Sequence, residues 1–299
     1  MYLYLPMETT KSTILFIINP TSGNNTTDWQ GDIENYFKTS NHNIVFYDIP
    51  KNCKLEDIKH QILLCNPDQI VAVGGDGTIK LVAECIINLH IPLGILPAGS
   101  ANGLAKELGI SDNITLALDV ISKGFLKKIH LTYVNNHLCI HLSDIGLNAY
   151  AIKQFDKLPL RGMWGYFKAF LQVLWKNPTL EIEMKMGQNK INIVAEMIVI
   201  ANATKYGSGA IINPIGTLDD ELFEVIAIKK ISLREIFKMI VSHAPYDTDK
   251  TEIFQTDSLT MKSARKVHFQ VDGEYLGKTK GVKAELVPKA LDIIVPENI

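Results

Sequence analysis

The sequence predicts an α/β + β protein: a doubly wound α/β domain over residues 1–128, followed by a β-sandwich-like domain over 129–299. In the first part, short apolar runs alternate with helical stretches, which is typical of a parallel sheet wrapped by helices. After Lys127 and Lys128 the pattern changes, and strand-like segments dominate, as in an antiparallel sandwich or barrel. A length of 299 residues also fits one large or two medium domains.

The elements predicted for the first domain alternate regularly between strand and helix. Near-continuous apolar runs, which suit strands buried on both faces, cover 13–18, 43–49, 69–73 and 91–96. Helical stretches follow these strands at about 28–39, 54–65, 78–89 and 100–108. In an open sheet of this kind, ligands bind outside the carboxyl ends of the strands.

The second domain is predicted from strand-like segments that are bounded by turn signals such as "VNNH", "KMGQN" and "VDGEYLG". The predicted strands cover 129–134, 137–144, 180–186, 191–201, 222–228, 258–262, 266–271, 283–287 and 291–295. Two helical insertions are predicted, near 158–176 and near 232–241.

Composition excludes several classes of protein. The 30 Lys and Arg residues against 32 Asp and Glu leave a formal net charge of −2, which argues against a nucleic-acid partner. The four cysteines form no CxxC pair, so neither a disulfide framework nor a zinc site is expected. "MYLYLPMETTKS" lacks the features of a signal peptide, and no run approaches the ~18 apolar residues of a membrane span. We therefore expect a cytoplasmic protein, with peripheral contact at the inner membrane face as its closest approach to a bilayer.

Three glycine-bearing loops follow strands of the first domain. They are Asn19–Gly23, Gly74–Thr78 within "VAVGGDGTIK", and the loop of "LPAGSANGLA" at 96–105. Glycine lets a backbone come close to a ligand, and the N–H groups at a helix N-terminus attract anions. One such loop on its own is most simply a tight β-to-α turn, but three at one sheet edge predict a ligand cleft.

Asp76 stands alone among the glycines of the second loop. A carboxylate beside a phosphate-binding loop makes sense if a divalent cation bridges the two, or if the carboxylate handles a proton. The alternative is a helix cap, for which Asp is well suited.

Other nucleotide and hydrolase motifs are missing from the sequence. "GEYLGKT" at 273–279 superficially resembles a Walker A loop, but it has three residues between its glycines and lies between strand-like runs. It therefore predicts a hairpin. The sequence contains no GxGxxG after the first strand, no HExxH and no GxSxG.

Together, "NPTSG", "GGDGT", "LGILPAGSANGLA", "IANATKYGSG", "GTLDDELFEV" and "VDGE" resemble the diacylglycerol kinase catalytic family in order and approximate spacing. This family includes bacterial lipid kinases and the sphingosine kinases, and the resemblance runs from about residue 13 to 296. "GGDGT" by itself is shared with NAD kinases, so the specificity lies in the whole set.

The resemblance implies ATP- and Mg²⁺-dependent phosphorylation of a lipid hydroxyl, such as that of diacylglycerol. It also implies a nucleotide-binding α/β domain, a β-rich domain on the lipid side, and a cleft between the two. Residues implied to bind the nucleotide are Asn19, Pro20, Thr21, Ser22, Gly23, Gly74, Gly75, Asp76, Gly77, Thr78, Gly99, Ser100 and Asn102.

Two further sets of residues follow from the resemblance. "VDGE" supplies Glu274, which matches the proposed catalytic base, with Asp272 just before it as a further catalytic candidate. We expect Glu274 to face Asp76 across the cleft. The alternative is that Glu274 is an ordinary polar residue of a hairpin and has no catalytic role. The metal loop of bacterial lipid kinases matches Thr217, Asp220 and Leu222, where Asp220 offers a carboxylate and the other two backbone carbonyls.

The metal loop also departs from the family pattern. Glu221 stands where the family usually has Gly, so an acidic solvated turn remains the alternative to a metal site.

A segment rich in aromatic and basic residues, 157–178, suits contact with a membrane surface. Its members are Lys157, Arg161, Trp164, Tyr166, Phe167, Lys168, Phe170, Trp175 and Lys176. The alternative is a helix that packs its aromatic side chains on the sandwich, and both hold if one face packs while the other meets lipid.

Two other functions stay open beside the lipid kinase: an NAD kinase-like phosphotransferase and a non-catalytic nucleotide- or lipid-binding protein. The sequence lacks the Asn-Glu dipeptide expected of an NAD kinase, and it retains both Asp76 and Glu274. For the oligomeric state, a homodimer is one option.

Overall fold

The structure is a computed structural model. It describes residues 11–23, 27–158, 162–174, 179–202, 205–206, 210–211, 213, 216, 218, 220–232, 234–235 and 247–297. The chain divides into two compact units. The first comprises Met1–Lys127 with Leu291–Ile299, and the second comprises Lys128–Ala290.

The first unit is a parallel sheet with helices between its strands, as predicted. Its strands are β1 (Ser12–Ile18), β2 (His42–Asp48), β3 (Gln69–Gly74) and β4 (Leu93–Pro97), hydrogen-bonded in the order β4-β3-β1-β2. Its helices are α1 (Trp29–Phe37), α2 (Leu55–Cys65), α3 (Asp76–Ile86), α4 (Gly103–Glu107) and α5 (Ile114–Lys123).

Burial explains why these residues form these elements. Every residue of β4 is buried, and so are five of the six residues of β3, because helices cover both faces of a parallel sheet. Helix α3 buries Ile79, Val82, Ala83 and Ile86, which recur at helical spacing on one face. Full burial of one such isoleucine stabilises the fold by roughly 1.5–3 kcal/mol.

The second unit is predominantly antiparallel. Its strands are β5 (Phe125–Val134, beginning in the first unit), β6 (His137–Cys139), β7 (Leu142–Gly146), β8 (Leu180–Met186), β9 (Asn189–Ala195), β10 (Met197–Ala201), β11 (Lys205–Tyr206), β12 (Ala210–Ile211), β13 (Phe223–Ile228), β14 (Thr251–Thr256), β15 (Ser258–Val271) and β16 (Glu274–Val295). The central strands run in the order β14-β13-β10-β7-β15-β16, and the hairpin of β8 and β9 adds to β15. Helices α6 (Leu147–Phe155) and α7 (Gly162–Leu174) follow β7.

The largest hydrophobic cluster of the second unit lies on one face of these strands. It includes Phe223, Val225, Phe269 and Val271, all nearly inaccessible to solvent, together with the alternate residues of β8. A smaller cluster lies between the helices, where Phe170 and Val173 of α7 pack on Leu147 and Ala151 of α6. The predicted antiparallel β-rich domain is confirmed.

One predicted boundary is corrected by the structure. Residues 291–299 group with the first unit rather than the second, because the end of β16 runs parallel to β4, with Ile293 paired to Leu93. The predicted strands at 258–262 and 266–271 form one strand, β15, with an irregularity between Lys262 and Val267.

Several other elements differ from the predictions. The segments predicted as 283–287 and 291–295 both belong to β16, whereas 137–144 and 191–201 are each divided between two strands. Helices α5 and α6 and strand β14 were not predicted, and α4 is shorter than the predicted helix at 100–108. Of the helix predicted near 232–241, Arg234 and Glu235 are helical and most of the remainder lies outside the described residues. No helix among the described residues is both long enough and apolar enough to cross a membrane.

Candidate active site

The three glycine-bearing loops meet at the carboxyl edge of the first unit's sheet. Strands β1, β3 and β4 are neighbours there, so the loops that follow them are adjacent. The N–H of Asn19 donates to the carbonyl of Val73 over 2.9 Å, and the N–H of Ala98 donates to the carbonyl of Gly74, also over 2.9 Å. The prediction that these loops lie at one sheet edge is therefore confirmed.

Side chains tie the first loop to the second. The Asn19 amide donates to the hydroxyl of Thr78 over 3.0 Å, and Thr78 is buried in the first turn of α3. The other end of the Asn19 side chain accepts from the N–H of Thr21 at 3.0 Å and from its hydroxyl at 2.8 Å. Asn19 and Thr78 thus shape the loops from within, while Pro20, Thr21 and Gly23 are exposed.

The second and third loops touch through glycine backbones. A Cβ placed on Gly99 would lie 2.5 Å from the Cα of Gly75, which is closer than real Cβ contacts allow. Gly23 adopts a φ of +71°, and a Cβ there would lie 2.5 Å from the carbonyl oxygen of Ala98. By contrast, a Cβ on Gly77 would meet nothing within 4 Å among the described residues. Glycine is therefore needed for packing at Gly75 and Gly99, whereas the exposed Gly77 borders open space.

Asp76 links the second loop to the third through hydrogen bonds. Its two carboxylate oxygens accept from the N–H groups of Gly103 at 2.9 Å and Leu104 at 3.0 Å, in the first turn of α4. The capping role considered from the sequence is real, but the helix that is capped is α4 rather than α3, which begins at Asp76 itself.

Asn102 also holds the third loop in shape. It lies at a φ of +50°, its side-chain oxygen accepts from the N–H of Gly99 at 2.8 Å, and its amide donates to Asp112 at 2.9 Å. Asn102 is buried, whereas Ser100 in the same loop is exposed. Of the nucleotide-binding residues predicted in this loop, Ser100 is the one that is exposed.

The predicted hairpin in the second unit carries Glu274. Strands β15 and β16 are joined by Asp272 and Gly273, which have φ values of +48° and +83°, and Val271 pairs with Glu274. Two consecutive residues of positive φ are what a two-residue turn of the Asp-Gly type requires. Glu274 is the first residue after this turn, and it is exposed.

Asp272 anchors this turn to the strand beside it. One carboxylate oxygen accepts from the N–H groups of His141 at 2.9 Å and Leu142 at 3.2 Å, and the other accepts from that of Ile140 at 3.1 Å. In addition, the N–H of Asp272 donates to the carbonyl of Leu142 at 2.9 Å. These contacts give Asp272 a positioning role for the turn that carries Glu274.

The predicted metal loop is described in part. Thr217 lies outside the described residues, and Leu222 is exposed. One carboxylate oxygen of Asp220 is buried without a hydrogen-bond partner in the described part of the chain. Burial raises the pKa of the nearby Glu224, and the Asp220 charge adds to this, although Gln255 and Asn213 donate to the Glu224 carboxylate.

Carboxylate oxygens, such as those of Asp220 and Glu224, suit a hard cation such as Mg²⁺. Across the described residues, no set of three or more His, Cys, Asp and Glu side chains is arranged to hold a metal ion. A metal in this loop would therefore depend on backbone carbonyls as well as on Asp220. Glu224 was not predicted as a site residue, because it lies within the apolar run of β13 and resembles an ordinary strand residue.

Helix α7 covers the middle of the aromatic and basic segment at 157–178. Phe170 and Val173 are buried against α6, whereas Phe167 is 39% exposed and Lys168 is exposed. One face of this helix therefore packs and another faces solvent. Arg161, Trp175 and Lys176 of this segment, and the side chain of Trp164, lie outside the described residues.

Comparison with known proteins finds two family models that together span most of the chain. The model of the diacylglycerol kinase catalytic domain matches residues 13–134, and that of the YegS C-terminal NAD kinase beta sandwich-like domain matches residues 143–295. The two models divide the chain close to the point where its pattern of elements changes.

Curated relatives are distant. A diacylglycerol kinase from Staphylococcus aureus (strain bovine RF122 / ET3-1) is 25% identical over 241 residues, 78% of this chain and 76% of the relative. An uncharacterised protein from Synechocystis sp. is 28% identical over 239 residues, 76% of this chain, and the match spans only 54% of that longer relative. A crystal structure of a diacylglycerol kinase from Bacillus anthracis str. Sterne shares the fold, with a TM-score of 0.73 at 17% identity, over 97% of this chain and 99% of the other.

Proposed function

Because the chain belongs to the diacylglycerol kinase catalytic family, we propose that it is an ATP-dependent lipid kinase that transfers the γ-phosphate of ATP to a lipid hydroxyl. Diacylglycerol is the first substrate to test, since relatives carry that name. The observation that supports this proposal most is the meeting of three glycine-bearing loops at one sheet edge of the first unit. The second unit, considered by itself, carries an exposed carboxylate, Glu274, next to the turn between β15 and β16.

The loops of the first unit would bind the triphosphate. Gly77 and Thr78 lie in the first turn of α3, where the helix dipole and N–H groups favour an anion, and the space above Gly77 is open. Asn19 and Asn102 would act through the loops that they hold in shape, while Thr21, Gly23 and Ser100 would contact the nucleotide directly.

Asp76 would serve the nucleotide site in two ways. It fixes the third loop on the second through α4. Its carboxylate oxygens are also of the type that binds Mg²⁺. Mg²⁺, when bound, neutralises phosphate charge; Asp76 would hold it at the phosphates, and Asp220 with the carbonyl of Leu222 would hold a second, structural ion.

Glu274 would act as the general base. In the proposed step, the lipid hydroxyl oxygen bonds to the γ-phosphorus, the bond from that phosphorus to the bridging oxygen of ADP breaks, and Glu274 takes the hydroxyl proton. The exposed position of Glu274 suits a group that must reach a substrate atom, and Asp272 would hold its turn in place.

The protein would bind its lipid substrate at a membrane surface. On α7, Phe167 and Lys168 are exposed beside a packed face, and aromatic and basic side chains of this kind suit the headgroup region of a bilayer.

Transfer of labelled γ-phosphate from Mg·ATP to lipids in mixed micelles tests the proposal. Diacylglycerol, a sphingoid base and a long-chain polyprenol form the panel, with NAD as a non-lipid acceptor. We expect a labelled lipid with the wild type and none with Asp76→Ala or Glu274→Ala, provided that both variants fold. Label on NAD would instead assign the NAD kinase reaction, and ATP binding without transfer would favour a non-catalytic binding protein.

A further inference from the structure

A buried carboxylate lies behind the turn that carries Glu274. Asp144 of β7 is 1% exposed and Gln270 of β15 is 0% exposed, on adjacent antiparallel strands. The Gln270 amide nitrogen donates to Asp144 Oδ2 at 2.5 Å, and the Gln270 side-chain oxygen accepts from the N–H of Gly273 at 2.7 Å. Gln270 thus connects a buried charge to the turn residue that immediately precedes Glu274.

The same carboxylate is connected to helix α7. Asn148 of α6 donates its amide to Asp144 Oδ2 at 2.5 Å, and the N–H of Ala149 donates to Oδ1 at 2.9 Å. The hydroxyl of Tyr166, on α7, donates to the side-chain oxygen of Asn148. A continuous series of side-chain hydrogen bonds therefore runs from α7 through Asn148, Asp144 and Gln270 to Gly273.

The direction of each hydrogen bond is fixed by chemistry. A backbone N–H can only donate, so the Gln270 atom that faces Gly273 must be oxygen and the atom that faces Asp144 must be the NH₂ group. The Asn148 NH₂ group faces the same oxygen of Asp144, so this oxygen must accept from two donors. A carboxylate meets this demand, whereas an amide nitrogen at the same place would oppose both donors.

We propose that Asp144 and Gln270 are positioning residues for phosphoryl transfer, because they orient the Glu274 turn and couple it to the membrane-facing helix α7 through Asn148 and Tyr166. This inference rests on the proposed function in the role that it gives to Glu274. The hydrogen-bonded series itself is independent of that function. We refer to these four side chains, Asp144, Gln270, Asn148 and Tyr166, as the relay.

The relay explains why so polar a group is kept in the interior. Burial raises the pKa of Asp144 to about 6, because loss of solvent outweighs the hydrogen bonds from Asn148, Gln270 and Ala149. Burying a carboxylate is unfavourable in itself, and a fold that needed only packing would have an apolar residue here. Orientation of the Gln270 amide is a benefit that only an acceptor at this place supplies.

Site-resolved hydrogen exchange at the Gly273 amide tests the relay without reference to activity. Asp144→Asn presents one oxygen and one NH₂ group to three donors, from Gln270, Asn148 and Ala149, so at least one donor is opposed and the series is weakened. We expect exchange of the Gly273 amide to be about tenfold faster. Gln270→Met removes the acceptor directly and should give the same result. Tyr166→Phe, which removes only the distant hydroxyl, should give a smaller increase of about twofold.

Two control variants are matched to these changes. Ser143→Ala removes a buried hydrogen bond between the same two strands, from the Ser143 hydroxyl to the Gln270 carbonyl, but leaves the relay intact. Tyr150→Phe removes a tyrosine hydroxyl from α6 while keeping its ring stacked on His268. Neither control should change exchange at Gly273.

Steady-state kinetics with lipid and ATP form the second arm. We expect kcat of Asp144→Asn and Gln270→Met to fall about tenfold while KM for ATP stays within about twofold, because the nucleotide loops belong to the other unit. The relay would be overturned if exchange at Gly273 were unchanged in folded Asp144→Asn and in Tyr166→Phe. It would also be overturned if Ser143→Ala accelerated exchange at Gly273 as much as Asp144→Asn does. If the wild type phosphorylates no lipid, the proposed function fails, whereas the exchange data still decide the relay.

Discussion

The amide of Asn19 donates a hydrogen bond to the hydroxyl of Thr78 over 3.0 Å, and this contact ties the loop after β1 to the first turn of α3. Thr78 is buried. The side-chain oxygen of Asn19 accepts hydrogen bonds from the N–H and the hydroxyl of Thr21. The two loops that would hold the phosphates of ATP are therefore tied together by one partly buried hydrogen bond.

Thr78→Val tests the importance of this contact. The substitution keeps the shape of the side chain and leaves the Asn19 amide without its acceptor, so we expect a loss of about 1–3 kcal/mol in the free energy of unfolding and weaker ATP binding. Urea denaturation and ATP titration measure the two effects. A variant that matches the wild type in both would contradict the role given to Thr78.

Thr132→Val is the matched control for this substitution. Thr132 is as buried as Thr78, but its hydroxyl has no hydrogen-bond partner among the described residues. Replacement by Val removes an unsatisfied polar group, so stability should stay unchanged or rise by about 1 kcal/mol. ATP binding should not change.

Gly99→Ala and Gly77→Ala separate packing from ligand contact. A Cβ on Gly99 would lie 2.5 Å from Gly75 Cα, so we expect Gly99→Ala to lower the free energy of unfolding by about 1–3 kcal/mol. A Cβ on Gly77 has open space, and alanine is the better helix former, so Gly77→Ala should fold at least as well as the wild type.

The two glycine variants should nevertheless both bind ATP more weakly. For Gly77→Ala the reason would be that the new methyl group occupies the space in which a phosphate lies. Thermal unfolding and ATP titration of the pair are the measurements. Wild-type ATP affinity in Gly77→Ala would exclude a phosphate above the first turn of α3.

Local sequence signals predicted the frame of this site but not the contacts within it. The Asp-Gly dipeptide at Asp272 predicted the hairpin, and the order of strands placed the three loops at one edge. The partners of Asp76 lie 27 and 28 residues away along the chain, and Asp144 is 126 residues from Gln270. Such pairings depend on the tertiary register of strands, which no local pattern encodes.

The missed elements have a similar cause. Helix α6 begins directly after Gly146, whose φ of +110° ends the buried strand β7 without any polar turn signal. Helix α5 follows the cap residue Asn113, whose side chain accepts from the N–H of Leu116, and no helix was predicted there.

Glu274→Gln isolates the general base from the fold. The side chain is exposed at the start of β16, so the amide should leave the melting temperature unchanged. A base that is lost in the transition state typically lowers the rate by about 10²–10⁴-fold. The measurement is kcat for phosphorylation of the best lipid of the panel, with KM for ATP recorded alongside.

Glu181→Gln is the control for this substitution, because Glu181 is an exposed glutamate on another strand of the same unit. Its kcat should equal that of the wild type. If Glu274→Gln were as active as this control, Glu274 would not be the general base. Asp76 would then be the next candidate for that role.

His268 should make the fold sensitive to acid. Its ring stacks on Tyr150 with centroids 4.4 Å apart, and its Nδ1 lies 2.8 Å from the Tyr275 hydroxyl. Burial, reinforced by the positive charges of Lys278 and Lys153, lowers the pKa of His268 from 6.5 to about 4. As pH falls from about 6.5 toward 4, the unfolded chain takes up a proton that the folded chain refuses, so stability is lost over this range.

Asp144 acts in the opposite direction over nearly the same range, because its raised pKa makes the folded chain hold a proton that the unfolded chain has released. The pH profile of the wild type therefore combines opposing contributions, with the raised pKa values of Asp144 and Glu224 on one side and the lowered pKa of His268 on the other. The variant His268→Gln is needed to separate them. We expect the fall in the urea midpoint between pH 7 and pH 5 to be smaller in His268→Gln than in the wild type, even if the variant is less stable at both values.

Tyr150→Phe is the control, because it keeps the stacked ring and adds no titrating group in this range. The fall in its urea midpoint should equal that of the wild type. An equal fall in all three proteins would show that His268 takes up its proton in the folded state as readily as in the unfolded chain.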